Sequence, residues 1–105
     1  MKGLGNLGDM MKQAKRLQEQ LERAQAEIAD LRIEATSGGE MVKATVNGRG
    51  ELVDLAVERE VIDPEDPEML VDLVIAAVQE AQKRAQEEAQ TRLGPLTQGL
   101  GLPGI

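Results

Sequence analysis

The chain has 105 residues, which fits one domain, and it carries twelve Lys and Arg against nineteen Asp and Glu for a formal net charge of −7. It has no Cys and no His, which excludes a disulfide framework, thiolate chemistry and imidazole or zinc-type sites. It has no Phe, Tyr or Trp, so a core must be built from Leu, Val, Ile, Met and Ala, and a small domain with such light residues gains stability by oligomerising.

Residues 1–8 are Gly-rich (Gly3, Gly5, Gly8) and read as a flexible N-terminus. Asp9 is placed as an N-cap, and the helical pattern runs from Met10 to about Asp30. Leu7, Met10, Ala14, Leu17, Leu21, Ala24, Ile28 and Leu31 follow one another in alternating steps of three and four, an a/d seam that packs lengthwise on another helix. The flanking e and g sites are Met11, Gln13, Gln18, Gln20, Gln25 and Glu27, too nearly uncharged to select a different partner chain. Glu19 and Arg23 have favourable i,i+4 spacing, whereas Lys12 and Arg16 repel at the same spacing and leave a cationic spot. Within the first 18 residues only Asp9 opposes Lys2, Lys12, Lys15 and Arg16, and the acidic excess sits in residues 32–66, net −5.

At Leu31 the apolar period changes from 3.6 to 2. Leu31, Ile33 and Ala35 alternate with Arg32, Glu34 and Thr36 as a first strand, and Ser37-Gly38-Gly39 is a turn. Val42, Ala44 and Val46 make a second strand, and Asn47-Gly48 predicts a type I′ hairpin with positive φ at both residues, with Gly50 as a bulge. Val53, Leu55 and Val57 make a third. Short turns imply an antiparallel meander with one buried face and one wet face.

Asp63-Pro64-Glu65-Asp66-Pro67 is a loop into a second helix, with either Asp63/Pro64 or Asp66/Pro67 as the N-cap and N1 pair. That helix is expected to stop at Leu93, before Gly94 and Pro95. Its first half, Met69 to Val78, is apolar except for Asp72 and predicts burial on more than one side. Its second half keeps only the stripe Ala81, Ala85, Ala89, suited to a close helix–helix contact or a partly buried arm. The chain thus divides into a flexible N-terminus (1–8), one domain (9–93) and a loosely ordered Gly/Leu-rich tail (94–105). The fold class is α+β: a three-stranded antiparallel meander with two long helices. Strands of about 23 Å are shorter than helices of about 33 and 40 Å, so helix ends project and a homodimer is expected. Leu17, Leu21, Ile28, Leu70, Leu73, Val74 and Val78 are the candidate core and dimer residues.

No catalytic constellation is visible. Ser37 has no base to activate it, Gly48 and Gly50 do not form a phosphate loop, and Asp63, Glu65 and Asp66 suit helix capping rather than a calcium loop. The chain is therefore read as a non-enzyme with no cofactor, no metal and no small-molecule substrate. No apolar stretch follows Lys2 as in a signal peptide, and Met69–Val78 is too short to span a bilayer, so a cytoplasmic protein with no membrane partner is expected. Without aromatics there is no stacking platform for single strands. What remains is phosphate contact by Lys2, Lys12, Lys15, Arg16 and Arg23 on the first helix and by Lys83, Arg84 and Arg92 on the second.

Several stretches together resemble the YbaB/EbfC family of nucleoid-associated proteins. They are Met10-Met11-Lys12-Gln13-Ala14; Gly38-Gly39 followed by Met41-Val42-Lys43; Thr45-Val46-Asn47-Gly48; Val61 through Asp66; Met69 through Val74; Ala76-Ala77-Val78; and Gly99-Leu100 with Leu102-Pro103-Gly104. The resemblance implies an α-β-β-β-α protomer and a tweezers-like homodimer with protruding helical arms. It also implies binding to double-stranded DNA in the bacterial nucleoid, with a structural or regulatory role and little sequence preference. The alternative reading is a protein–protein module associated with replication or recombination factors.

Overall fold

The computed structural model describes residues 2–98, with side chains from Asn6 to Thr97. The element order is α1 (Lys2–Ala29), β1 (Ile33–Ser37), β2 (Val42–Val46), β3 (Leu52–Val57), a 3₁₀ turn (Arg59–Val61) and α2 (Pro67–Gln98). The strands form an antiparallel sheet in the order β1-β2-β3.

Helix α1 starts at Lys2 rather than near Met10, and Asp9 lies inside it instead of capping it. The seam continues the helical period back through Leu7, so nothing local stops the helix at Gly8. At its other end Asp30 N–H is shared between Ala26 O and Glu27 O, while Leu31 N–H (3.1 Å) and Gly48 N–H (3.0 Å) both donate to Ile28 O. A carbonyl left over at the helix end is thus satisfied by the β2–β3 turn.

That turn corrects the type I′ expectation: the glycines with positive φ are Gly38, Gly39 and Gly50, not Gly48. Gly50 N–H donates to Asn47 O (3.0 Å) and Asn47 N–H to Glu51 O (3.0 Å), with Gly50 left-handed at φ 83. A turn closed over Asn47–Gly50 and ended by a left-handed glycine is the longer hairpin, with the bulge built in. Asn47 Oδ1 accepts from Arg49 N–H (2.9 Å) and Glu51 N–H (3.1 Å), and Asn47 Nδ2 donates to Glu51 Oε1 (2.8 Å). Gly48 is required for a different reason: a Cβ there would stand 2.1 Å from Ile28 O.

Asp66 is the N-cap of α2, its Oδ1 accepting from Met69 N–H (3.2 Å), with Pro67 at N1. Asp63 instead closes the loop, accepting from Glu65 N–H (2.9 Å). Helix α2 does not stop at Gly94-Pro95 but runs to Gln98. Leu93, Leu96 and Thr97 are partly buried, so packing outweighs the breaker.

Helix α2 lies across β1 and β2 and makes little contact with β3. The core is Ala35, Val42, Ala44, Val46, Val61, Ala77, Ala81 and Ala85, with Leu70, Leu73, Val74 and Val78 packed around it. Of the alanine stripe, Ala81 and Ala85 thus serve close helix–sheet contact, whereas Ala89 is partly buried and lines a cleft with Gln25 and Ile28 of α1. Two ties cross this interface: Ser37 Oγ donates to Leu73 O (2.6 Å), and Arg84 Nη1 donates to Glu34 O (2.9 Å). The first half of α2 is buried on one side only, since Met69, Val71 and Ile75 are exposed.

The molecule measures 79 × 23 × 16 Å, with a radius of gyration of 20.7 Å. A compact chain of this length has about 13 Å. The excess is α1: it meets α2 through Leu17, Leu21, Ala24 and Ile28, and every residue from Asn6 to Arg16 is exposed. Among the described residues that half, about 16 Å long, projects as an arm.

Candidate nucleic-acid interface

On the arm, Lys12, Lys15 and Arg16 are exposed, as is Arg23 further in. Among the described residues the ion pairs are Lys43–Glu34 (3.6 Å), Arg84–Glu80 (3.2 Å) and Arg92–Glu88 (3.1 Å). The α1 cations are thus free to meet an anion, and Arg23 does not reach the Glu19 partner its spacing suggests. At one residue per 100° of turn, Lys12, Arg16 and Arg23 fall on the side of α1 opposite Leu17 and Leu21. The packing of the seam on α2 is what points them outward. Lys2 opens α1, but its side chain lies outside the described residues.

The α2 candidates behave differently. Arg84 is held by Glu80 and by the β1 carbonyl of Glu34, and Arg92 donates through Nε to Glu88. Lys83 is exposed and forms no ion pair among the described residues. The seven cations whose side chains are described therefore fall into separate groups: Lys12, Lys15 and Arg16 sit on the α1 arm without an ion pair among the described residues, while Arg84 and Arg92 are engaged within α2.

The residues proposed for core and dimer are used within the chain. Leu17 and Leu21 are partly buried, Ile28 is buried under Gly48, and Leu70, Leu73, Val74 and Val78 surround the core. A different apolar surface remains uncovered. On β3, Leu52, Val53 and Leu55 are 48, 44 and 38 % exposed; on α2, Val71 and Ile75 are 53 and 47 % exposed. Val71, Ile75 and Gln82 lie along one flank of α2, and Gln82 Nε2 donates to Gly50 O (3.1 Å), which turns that flank to the β3 side. β3 is also an edge strand, with one row of backbone groups unpaired. The signal in the sequence was the apolar run Met69–Val78, which has more apolar sides than one sheet can cover.

Asp63 and Asp66 are occupied with backbone N–H groups, as loop closure and helix cap. No helix among the described residues is long and apolar enough to cross a membrane.

The family model of the YbaB/EbfC DNA-binding family matches residues 2–100. A nucleoid-associated protein of Streptomyces avermitilis is 48 % identical over 103 residues, covering 98 % of this chain and 91 % of that one. A nucleoid-associated protein of Exiguobacterium is 43 % identical over 105 residues, covering both chains completely. Among solved structures, an uncharacterized protein of Helicobacter pylori has the same fold, with a TM-score of 0.71 at 24 % identity over 87 % of this chain and 92 % of that one. The α-β-β-β-α order, the three-stranded antiparallel sheet and the extent of these matches together place the chain in the YbaB/EbfC DNA-binding family.

Proposed function

We propose that this protein is a nucleoid-associated homodimer that grips double-stranded DNA between helical arms in the bacterial cytoplasm, organising the nucleoid and influencing gene expression. The carrying observation is the arm itself: Lys12, Lys15 and Arg16, which among the described residues form no ion pairs, on a helical half that is exposed along its length from Asn6 to Arg16. Cations held on a projecting helix reach phosphates without a groove-reading element, so binding has little sequence preference. The net charge of −7 is no obstacle, because the acidic excess lies mainly in residues 32–66, outside the arm. The family match and the names of the relatives support DNA as the partner. The uncovered β3–α2 surface supports the dimer, since it is apolar, contiguous with an open strand edge and larger than isolated exposed residues would make.

Fluorescence anisotropy of a labelled random duplex, titrated with protein over a salt series, tests the reading. Binding should weaken steeply with salt, and Lys12→Gln, Lys15→Gln and Arg16→Gln together should flatten the log–log slope by about 0.9 for each phosphate no longer neutralised. The dimer should persist in that variant. An affinity and slope equal to wild type would remove the arm from the interface.

A second reading is a protein–protein module, favoured by Leu7, Met10 and Met11, which are 52, 64 and 66 % exposed on the same arm. It requires a stoichiometric protein partner that survives nuclease treatment and is lost on Met10→Gln with Met11→Gln.

A further inference from the structure

Where α1, α2 and the β2–β3 turn meet there is an open cleft lined by Gln25, Ile28, Gly48, Arg49, Ala89 and Leu93. In a chain with nineteen acids and twelve bases, this lining holds one cation and no carboxylate. The backbone of Arg49 is fixed: its N–H donates to Asn47 Oδ1 (2.9 Å), Gly48 N–H is bonded to Ile28 O (3.0 Å), and Gly50 closes the turn on Asn47 O (3.0 Å). Its guanidinium is exposed and forms no ion pair among the described residues. The neighbouring acids have other partners. Glu51 accepts from Asn47 Nδ2 (2.8 Å), Glu88 from Arg92 Nε (3.1 Å) and Glu22 from Gln18 Nε2 (3.4 Å).

A guanidinium on a rigid turn, beside the neutral amide of Gln25 and above an apolar floor, suits a phosphodiester, which takes a planar fork of N–H donors. We infer that Arg49 is a phosphate contact at the base of the arm, receiving the DNA backbone that Lys12, Lys15 and Arg16 meet nearer the tip. Gln25, Gln18 and Lys15 follow one another along one flank of α1 at steps of seven and three residues. They lead from the cleft outward over about 15 Å, comparable with the width of a major groove. The acid on that path is Glu22. This inference rests on the DNA-binding reading and adds to it a contact supplied by the sheet.

Arg49 enters the turn through its backbone alone, so Arg49→Gln leaves every hydrogen bond of the turn in place. Full-length wild type, Arg49→Gln, Arg49→Lys and, as a control distant in sequence on the 3₁₀ turn, Arg59→Gln are titrated against labelled random duplex over a salt series. Arg49→Gln should flatten the log–log salt slope by about 0.9 for each Arg49 that meets a phosphate, about eightfold weaker binding at 0.1 M salt for one such phosphate. Arg49→Lys should keep the slope, and Arg59→Gln should match wild type. An unchanged slope in Arg49→Gln, an equal loss in Arg59→Gln, or an altered association state of Arg49→Gln in sedimentation each overturns the inference while leaving duplex binding intact. A wild-type protein that does not bind the duplex overturns this inference together with the reading beneath it.

Discussion

At the scale of single residues, the Asn47-Gly48 pair shows how one motif can be recognised for one reason and kept for another. As a turn signal it rests on both residues tolerating positive φ, yet the left-handed glycine is Gly50. Gly48 is small because Ile28 O lies where its Cβ would go. Gly48→Ala should therefore push the turn off the end of α1 and release the Gly48 N–H from Ile28 O, which keeps the Leu31 N–H. The expected loss is about 1–3 kcal/mol in urea unfolding at fixed protein concentration. A Gly48→Ala protein as stable as wild type would mean the turn can move without loss. Ser37 is a similar case: the chain's one serine is a strap from β1 to Leu73 O, a role its neighbours in sequence do not announce.

At the scale of elements, sequence pattern was reliable for the kind of each element and less so for its ends. The seam from Leu7 to Ile28, the switch to period two near Leu31 and the Asp66/Pro67 start all correspond to α1, β1 and the start of α2. The errors lie at the start of α1 and the end of α2. Local breakers suggest stops there, but the residues beyond them belong to long helices, and at the α2 end tertiary packing holds the last turn. Pro95 lacks the N–H that would serve Thr91 O, and Gly94 is a weak helix former. Pro95→Ala should accordingly raise stability, by up to about 3 kcal/mol, without altering the DNA-binding slope. A lower urea midpoint in that variant would show that the proline ring itself contributes packing against α1.

At the scale of the whole molecule, the core is thin: Val42 and Val46 are the largest fully buried side chains, and alanines supply much of the rest. Such a core gives modest stability to a single chain. The patch of Leu52, Val53, Leu55, Val71 and Ile75 is where further burial is to be gained. Ile75→Glu places a charge on a side chain already 47 % exposed, so it should cost the isolated fold little, within about 0.5 kcal/mol. In sedimentation, however, it should convert dimer to monomer and make thermal stability independent of protein concentration. A dimer that tolerates Ile75→Glu would place the contact between copies elsewhere. The candidate site was legible in part. Lys12, Lys15 and Arg16 could be picked out because one acid opposes them in the first 18 residues. Arg84 and Arg92 follow Glu80 and Glu88 at i,i+4, a spacing that offers the ion pairs but does not guarantee them, since Arg23 has the same spacing from Glu19 and forms none among the described residues; that Arg49 stands free beside the cleft has no signal in the sequence.

The sequence by itself determined the element types and their order, the meander, the absence of thiol, imidazole and aromatic side chains, and the family. These depend on residue identity and on periods of 2, 3.5 and 3.6, which are local properties of the chain. Tertiary structure decided which apolar faces are spent within the chain and which remain open, and how far α1 projects. Those outcomes depend on where α2 lies across the sheet. Its alanines let it sit close over β1 and β2, so β3 is left bare, and its C-terminal turns cover only the inner half of α1.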